Sequence, residues 1–511
     1  MKPYLASMMN DVRLASIHVG RRNAKAAEHQ SVAQKDGDIQ RMLTKLGRGG
    51  LILALVFLSL LGYTKPAHAS NLPLIVYTQY TCTSLWSQPS VGSTYIADLI
   101  GGTGLHVTGA TGDGNWYQVQ FLGVVPAWIA TSAVDVQPPA YKGTDGGCPF
   151  PGMVPMKLHP IDSAPGPYAM TASGTVTQPS VLRASPSVTA QATTSVDSGI
   201  RAQTEQWVGD ENGDIWYLVH AGGGYGWLWA YSLKLDAPDP ATHAVNGKPV
   251  WSAASGKGMW FTNYFTRHTD VQALVDAAKA AGITHIYPEV AISRDGGFYG
   301  STALDRLLPV AHAAGITVLA WVYPYLDNVA ADIAMTKDVL DYRTPNGDKV
   351  DGISADIEER TDAAPVYAYG QVLRQMVGPD MPLVVTTYNP RARSTYPFPE
   401  VAASFNVIAP QDYWHSDRTT TFTGGDAQAL LMVSVATIRA QLGNKDFPIE
   451  ELGQMYDMFT DDGSPGGTEP TGPEITADML AAKGFGCIGV SYFEWQTASP
   501  AQLDAFNAFK W

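Results

Sequence analysis

The sequence predicts a multidomain protein in which two small all-β barrels precede an α/β (β/α)8 barrel. Three observations carry that expectation. From residue 258 onward the 511-residue chain alternates short apolar runs with helical stretches. Between 74 and 235 it has β-branched and aromatic runs broken by Gly, Pro, Ser and Asp, and the pattern occurs twice. Within the last region, Asp351-Gly352-Ile353-Ser354-Ala355-Asp356-Ile357-Glu358-Glu359 alternates with the period of a strand, Ile353, Ala355 and Ile357 on one face and Ser354, Asp356 and Glu358 on the other. An acidic strand face is very costly inside an ordinary core, so it implies an inner face that opens onto a polar pocket.

The N-terminus comes first. Residues 1–49 are polar, basic and unpatterned, and Gly50 to Gly62 is a short apolar run preceded by Arg41, Lys45 and Arg48 and followed by Ala67-His68-Ala69. The run falls short of the roughly 20 residues that span a bilayer. A basic region, a short apolar core and an A-x-A site read as a secretory signal, so 1–69 is assigned as leader and signal peptide. Met42 as the true start gives a signal of ordinary size, and a retained membrane anchor is the alternative. Both place the bulk of the chain outside the cytoplasm, in the extracellular space or cell envelope. In that oxidising compartment Cys82 and Cys148, near the two ends of the first β module, are a candidate disulfide, and Cys487 in an apolar strand is a buried thiol. No spacing resembles a zinc site, and no metal or cofactor is expected. The net charge of −14, from 47 acidic and 33 basic residues, argues against nucleic acid as the main partner. The 24 Tyr and 13 Trp supply aromatic faces of the kind that stack on sugars.

The two β modules are placed at 70–150 and 165–235. Gly114-Asn115-Trp116-Tyr117-Gln118-Val119 is echoed by Asp214-Ile215-Trp216-Tyr217-Leu218-Val219, and Pro126-Ala127-Trp128-Ile129-Ala130 by Tyr225-Gly226-Trp227-Leu228-Trp229-Ala230. Ser180-Val181-Leu182-Arg183-Ala184-Ser185-Pro186 opens the second copy and Ser84-Leu85-Trp86-Ser87-Gln88-Pro89 the first. This pattern resembles the bacterial SH3-like domain. The first copy lacks the opening Arg and has Ala127 where Gly is usual. The resemblance implies small barrels that hold an exported protein on cell-wall peptides or glycans; structural spacers, with Trp116 and Trp216 as core fillers, are the alternative. Residues 236–257, rich in Pro, Ala and small polar residues, read as a linker.

In the region 258–511, strands are expected over 259–265, 283–292, 316–325, 352–358, 383–388, 405–413, 447–454 and 487–495. Helices are expected over 270–281, 304–314, 329–341, 365–377, 399–403, 426–442, 476–483 and 500–509. Eight strand–helix units at this length have the rhythm of a (β/α)8 TIM barrel. Ala280 to Thr284 and Ala313 to Thr317 repeat A-A-G-I-T, a helix end with a glycine cap feeding a buried strand. An open doubly wound sheet would need a Gly-rich phosphate loop after its first strand, and Asn263-Tyr264-Phe265 is not one.

Active sites of such barrels lie at the C-terminal strand ends. The candidates gathered there are Tyr264, Glu289, Tyr323, Asp356, Glu358, Tyr388, Gln411, Asp412, Tyr413, Trp414, Glu451, Glu494 and Trp495. Alternation lets only one of Asp412 and Tyr413, and one of Glu450 and Glu451, face fully inward. Glu289 is equally a pocket carboxylate or a structural partner. Glu358 could instead pair with Arg360 or Lys349. The stretch 461–473 is long enough to form a lid.

The D-G-I-S-A-D-I-E stretch resembles the D-G-x-D-x-D-x-E signature of chitinase-type (family 18) glycoside hydrolases, at the end of the fourth barrel strand. The resemblance implies Glu358 as general acid, Asp356 as the group that holds the substrate's N-acetyl nucleophile, and Tyr413 as its assistant. Ser354 stands where the family has its middle Asp, Trp414 where an Asp follows the sixth-strand Tyr, and Phe493 where it has an eighth-strand Trp. The D-x-E core also resembles lysozyme-like (family 25) muramidases, but the first strand lacks their early Asp. The expectation is a monomeric exported glycoside hydrolase acting on an N-acetylhexosamine-containing polysaccharide, peptidoglycan or chitin-like. Two alternatives stand beside it. One is a carbohydrate-binding protein with a non-catalytic barrel. The other is a retaining two-carboxylate glycosidase with Glu451, Glu494 or Asp412 as nucleophile.

Overall fold

A computed structural model describes residues 72–79, 83–99, 101–137, 166–293, 297–416, 421–457 and 469–511. The leader and signal, the Cys82–Cys148 pairing and residues 461–468 of the expected lid lie outside the described residues. Among the described residues no helix is long and apolar enough to cross a membrane, and Cys487 is a buried free thiol.

Eight parallel strands close on themselves: β1 (Gly256–Phe261), β2 (His285–Ile292), β3 (Thr317–Tyr323), β4 (Gly352–Asp356), β5 (Leu383–Tyr388), β6 (Val407–Gln411), β7 (Glu450–Gln454) and β8 (Gly489–Phe493). Closure is explicit in the register, since Gly258 of β1 faces both His285 of β2 and Ser491 of β8. The helices are α1 (Val271–Ala281), α2 (Ser301–Ala314), α3 (Val329–Asp341), α4 (Ala363–Val377), α5 (Phe398–Ala402), α6 (Gly424–Leu442), α7 (Gly472–Gly484) and α8 (Pro500–Ala508). Their limits follow local chemistry. Asp270 caps α1 by accepting from Gln272 N, and Gly282 ends it in the left-handed conformation; Gly315 ends α2 in the same way.

The strands bury both faces, in two separate clusters. Trp260, Tyr287, Leu319, Val384, Val407, Ala409 and Leu452 fill the barrel interior, with Trp321, Tyr413 and Phe493 packed on them. Ile353, Ala355 and Ile357 belong to the outer cluster between strands and helices, which leaves Ser354 and Asp356 facing inward.

The β1 strand ends earlier than expected: Asn263–Arg267 is a short helix. Glu289, distant in sequence, accepts from the Asn263 amide at 3.0 Å and so caps that turn. The segment expected to be a linker is ordered. It carries a two-stranded hairpin, Ala244–Val245 with Lys248–Pro249, and a 3-10 turn, Val250–Ala254. Ala254 joins the interior cluster, with Trp251 and Ala253 packed on it, so residues before β1 make the barrel's floor.

The two N-terminal β modules are seven-stranded antiparallel sheets with the same strand order, 3-2-6-5-4-1-7 in each module's own sequence. The repeat holds residue by residue: Gln118 faces Trp128 in one module and Leu218 faces Trp227 in the other. Trp216 is buried, its Nε1 donating to Asp210 at 3.0 Å; Trp116 is half-buried. Both modules are docked on the barrel. In the first, Ala97 bridges to Thr269 and the Tyr95 hydroxyl donates to His268 O at 2.5 Å. In the second, Tyr231 donates to Glu400 at 2.8 Å, and Leu235 N donates to Gln371 Oε1 at 3.0 Å.

Candidate active site

The inward parity of β4 stacks Ser354, Asp356 and Glu358 from the interior toward the mouth. Ser354 is fully buried, with its hydroxyl 3.3 Å from that of Thr386. Asp356 is 4% exposed, and Glu358, just past the strand end, is half-buried. Donors from β3 and β6 hold the two carboxyls. Trp321 Nε1 of β3 donates to Asp356 Oδ2 at 3.1 Å. Gln411 Nε2 of β6 donates to Asp356 Oδ1 at 3.3 Å and also to Glu358 Oε1. The Tyr323 hydroxyl of β3 donates to Glu358 Oε2 at 3.0 Å. Arg360 does not reach Glu358; it pairs with Asp214 of the second β module at 3.3 Å and with Asp362.

Burial, first, and the adjacent Glu358 charge, second, push the Asp356 carboxyl well above the usual carboxylate range. The site thus places a buried carboxyl with a raised pKa beneath a half-exposed one. The surrounding phenols are also pushed up. Tyr323 and Tyr388 are raised by burial and then by Glu358, and Tyr413 by burial, Tyr456 and the two carboxyls. Of the three, Tyr323 is the one that donates to Glu358. Aromatic rings pack beneath them: Trp260 stacks on Tyr287 at 4.1 Å, and Trp321 meets Phe493 edge-on at 5.7 Å.

Tyr323, Asp356, Glu358, Gln411 and Tyr413 thus come together, with Tyr388 beside them. Other expected members do not join. Glu289 caps the Asn263 turn and accepts from Tyr299. Asp412 points outward and accepts from Ser434 of α6 at 2.5 Å. Glu451 also faces outward, fully buried, beside Asp412 and near Asp478 of α7. Trp414 donates to Glu474 of α7 at 2.8 Å and is buried. Trp495 is fully buried against Phe261, with ring centroids 5.5 Å apart. Glu494 accepts from Gln496 and lies within electrostatic reach of Tyr413. The Tyr264 side chain lies outside the described residues. Glu450 takes the inward place in β7, deep in the barrel, with His285 at 2.8 Å and Tyr287 donating to it.

Two residues at the site were missed. Trp321 carries a readable signal, since it shares the inward parity of Leu319 and Tyr323. Arg393 follows β5 in an acidic chain, and its guanidinium lies 4.8 Å over the Tyr388 ring; loop geometry hides this from the sequence.

The outward carboxyls form a cluster of their own. Asp412, Glu451 and Asp478 are all essentially unexposed, and Tyr492 donates to Asp478 Oδ2 at 2.7 Å. Burial pushes Asp412 and Asp478 each up to about 7, and Glu451 well above its ordinary value.

No protein-family model matches the sequence, and no curated protein does. Solved structures that match are family 18 chitinases and related hydrolases. A chitinase from Bacteroides thetaiotaomicron is 13% identical, with 50% of this chain and 96% of that chain covered and a TM-score of 0.39. A family 18 chitinase from Cycas revoluta in complex with (GlcNAc)3 is 10% identical, with 50% and 97% covered and a TM-score of 0.38. The Bacillus cereus spore cortex-lytic enzyme SleL is 10% identical, with 50% and 74% covered and a TM-score of 0.40.

Proposed function

We propose that the protein is an exported glycoside hydrolase that cleaves a polysaccharide containing N-acetylhexosamine, with Glu358 as general acid. One observation carries this proposal. Asp356 and Glu358 share the inward face of β4 and are joined through Gln411, with Asp356 sealed from solvent and Glu358 at the rim. A proton kept at Asp356 and a half-exposed carboxyl above it suit protonation of a glycosidic oxygen. Asp412 and Glu451, two of the three candidates for a separate carboxylate nucleophile, face away from the mouth. That favours the substrate's own acetamide oxygen as the attacking group, oriented by Asp356 and by the Tyr413 hydroxyl, as the motif resemblance implies. Trp321 and Phe493, both half-buried, offer an apolar floor for the sugar ring.

The β modules are read as SH3-like domains, from the repeated motifs and the shared strand order, with a cell-wall peptide or glycan as partner. Export follows from the signal-like N-terminus.

A second reading has Ser354 behind it: no carboxyl precedes Asp356 on the inward face of β4, where the Ser354 hydroxyl lies 3.3 Å from that of Thr386. On that reading the barrel binds glycan without cleaving it. Glu358→Gln, assayed for reducing-end release from peptidoglycan and chitin oligomers, separates the two. Loss of about a hundredfold or more in kcat is expected for the acid. Equal hydrolysis by variant and wild type would refute the role of Glu358, and silence of the wild type on every glycan would favour binding alone.

A further inference from the structure

The loop after β5 brings a cation to the mouth of an otherwise acidic chain of net charge −14. Arg393 is half-buried, its guanidinium 4.8 Å over the Tyr388 ring, and Nη1 donates to Thr361 Oγ1 at 2.6 Å. Tyr388 in turn faces Gln411 across the β5–β6 register, and Gln411 holds Glu358. One ring and one amide therefore separate the guanidinium from the proposed acid.

Other arginines of the barrel are engaged. Arg360 is paired with Asp214 and Asp362. Arg374 is spent on the carbonyls of Ser404, Gly378 and Met381 and on Asn406, and Arg439 on those of Phe447, Phe485 and Gly486. Among the described residues Arg393 forms no ion pair, and no protein acceptor takes its Nε or Nη2. Glu359 is near enough to feel it, its carboxyl raised by burial and lowered by Arg393, but the two do not pair. A guanidinium held over an aromatic face and by one hydroxyl presents its remaining donors in the fork that matches a carboxylate. A neutral sugar offers nothing that requires a full positive charge there. In a chain whose overall field repels anions, a local cation is what an anionic ligand would need.

We infer that Arg393 receives a carboxylate borne by the glycan next to the bond being cleaved. The substrate class of the site, on the glycosidase reading above, is then an N-acetylhexosamine polymer with carboxylic acid substituents rather than neutral chitin. Thr361 and Tyr388 fix the guanidinium, and the carboxylate takes its free edge.

The test is a binding measurement in the Glu358→Gln background, which needs no turnover. Three probes are titrated by calorimetry. They are a tetrasaccharide of alternating N-acetylglucosamine and N-acetylmuramic acid with free carboxylates, the same molecule as its methyl ester, and a neutral N-acetylglucosamine tetramer. The free acid is expected to bind about tenfold tighter than its ester. Adding Arg393→Gln, which keeps a donor for Thr361, should abolish that preference while leaving the neutral tetramer within about twofold; Arg393→Lys should keep part of it. Equal binding of acid and ester with Arg393 present, a preference that survives Arg393→Gln, or binding of none of the probes overturns the inference. Failure of wild-type hydrolysis would count against the glycosidase reading alone, because the acid-over-ester preference is measured without it.

Discussion

Replacing Asp478 by Asn should make the protein more resistant to alkaline pH. In the folded protein Asp478 and Asp412 are each pushed up to about 7 by burial, against 3.8 for the free group. Both therefore hold protons in the folded chain that the unfolded chain releases. A raised carboxyl contributes its stability below the unfolded value and loses it as pH rises through the folded one. The loss runs at about 1.4 kcal/mol per pH unit for each retained proton. From pH 4 to pH 7 one such proton amounts to about 4 kcal/mol, an upper bound because the three carboxyls share their protons. Asn keeps an acceptor for the Tyr492 hydroxyl, 2.7 Å away at Asp478, and removes one carboxyl from the cluster. The assay is urea unfolding of variant and wild type, followed by Trp fluorescence at pH 5, 6, 7 and 8. Taking the difference cancels groups of opposite sign. Glu474 is one: burial opposes its ionisation, but bonds from His415, Trp414 and Thr471 prevail and bring it to about 2, so it loses its stabilising effect as pH falls. The variant should gain on wild type by up to about 2.7 kcal/mol between pH 5 and 8, nearly all of it below pH 7. A difference that does not change with pH would refute the reasoning.

Two further outcomes follow from distances already given or from a close approach of the backbone. Asp356→Asn replaces a carboxyl that is already held protonated, so melting temperature should change little, while kcat on a glycan that the wild type cleaves falls by about a hundredfold or more; an unchanged kcat would remove Asp356 from the chemistry. Gly213 has φ +78°, and a Cβ there would sit 2.3 Å from Asp327 O; Gly213→Ala should cost more than about 2 kcal/mol and expose the loop after β3 to protease, which limited proteolysis would report.

Much of the barrel was legible because its signals are local. Helix ends at Gly282 and Gly315 are written in one residue each, and the alternation of β4 matches the division of its side chains between the two clusters. What could not be read depended on partners far away in the chain. The helical turn at Asn263 needs Glu289, 26 positions later, to cap it. The choice between Asp412 and Tyr413 is settled by Ser434, and Trp414 is drawn out of the mouth by Glu474. The floor formed by Val250–Ala254 lies in a segment with the composition of a linker, and it is ordered by the packing of Trp251, Ala253 and Ala254 against residues far along the chain. Arg393 is one basic residue in a loop until Tyr388 comes beneath it.

The docking of the second β module has a consequence for how the molecule would meet a solid surface. With Arg360 and Asp214 3.3 Å apart and the Val329 amide donating to Gly213 O at 3.4 Å, the module is held against the loops that rim the barrel. A tethered module would let the mouth sweep a volume set by linker length, with an effective concentration that falls as the tether grows. On the proposed function, a module docked in this way would instead set one attitude of the mouth above a surface it gripped. The bonds within reach would then form a fixed ring around each foothold, and reaching new ones would require letting go.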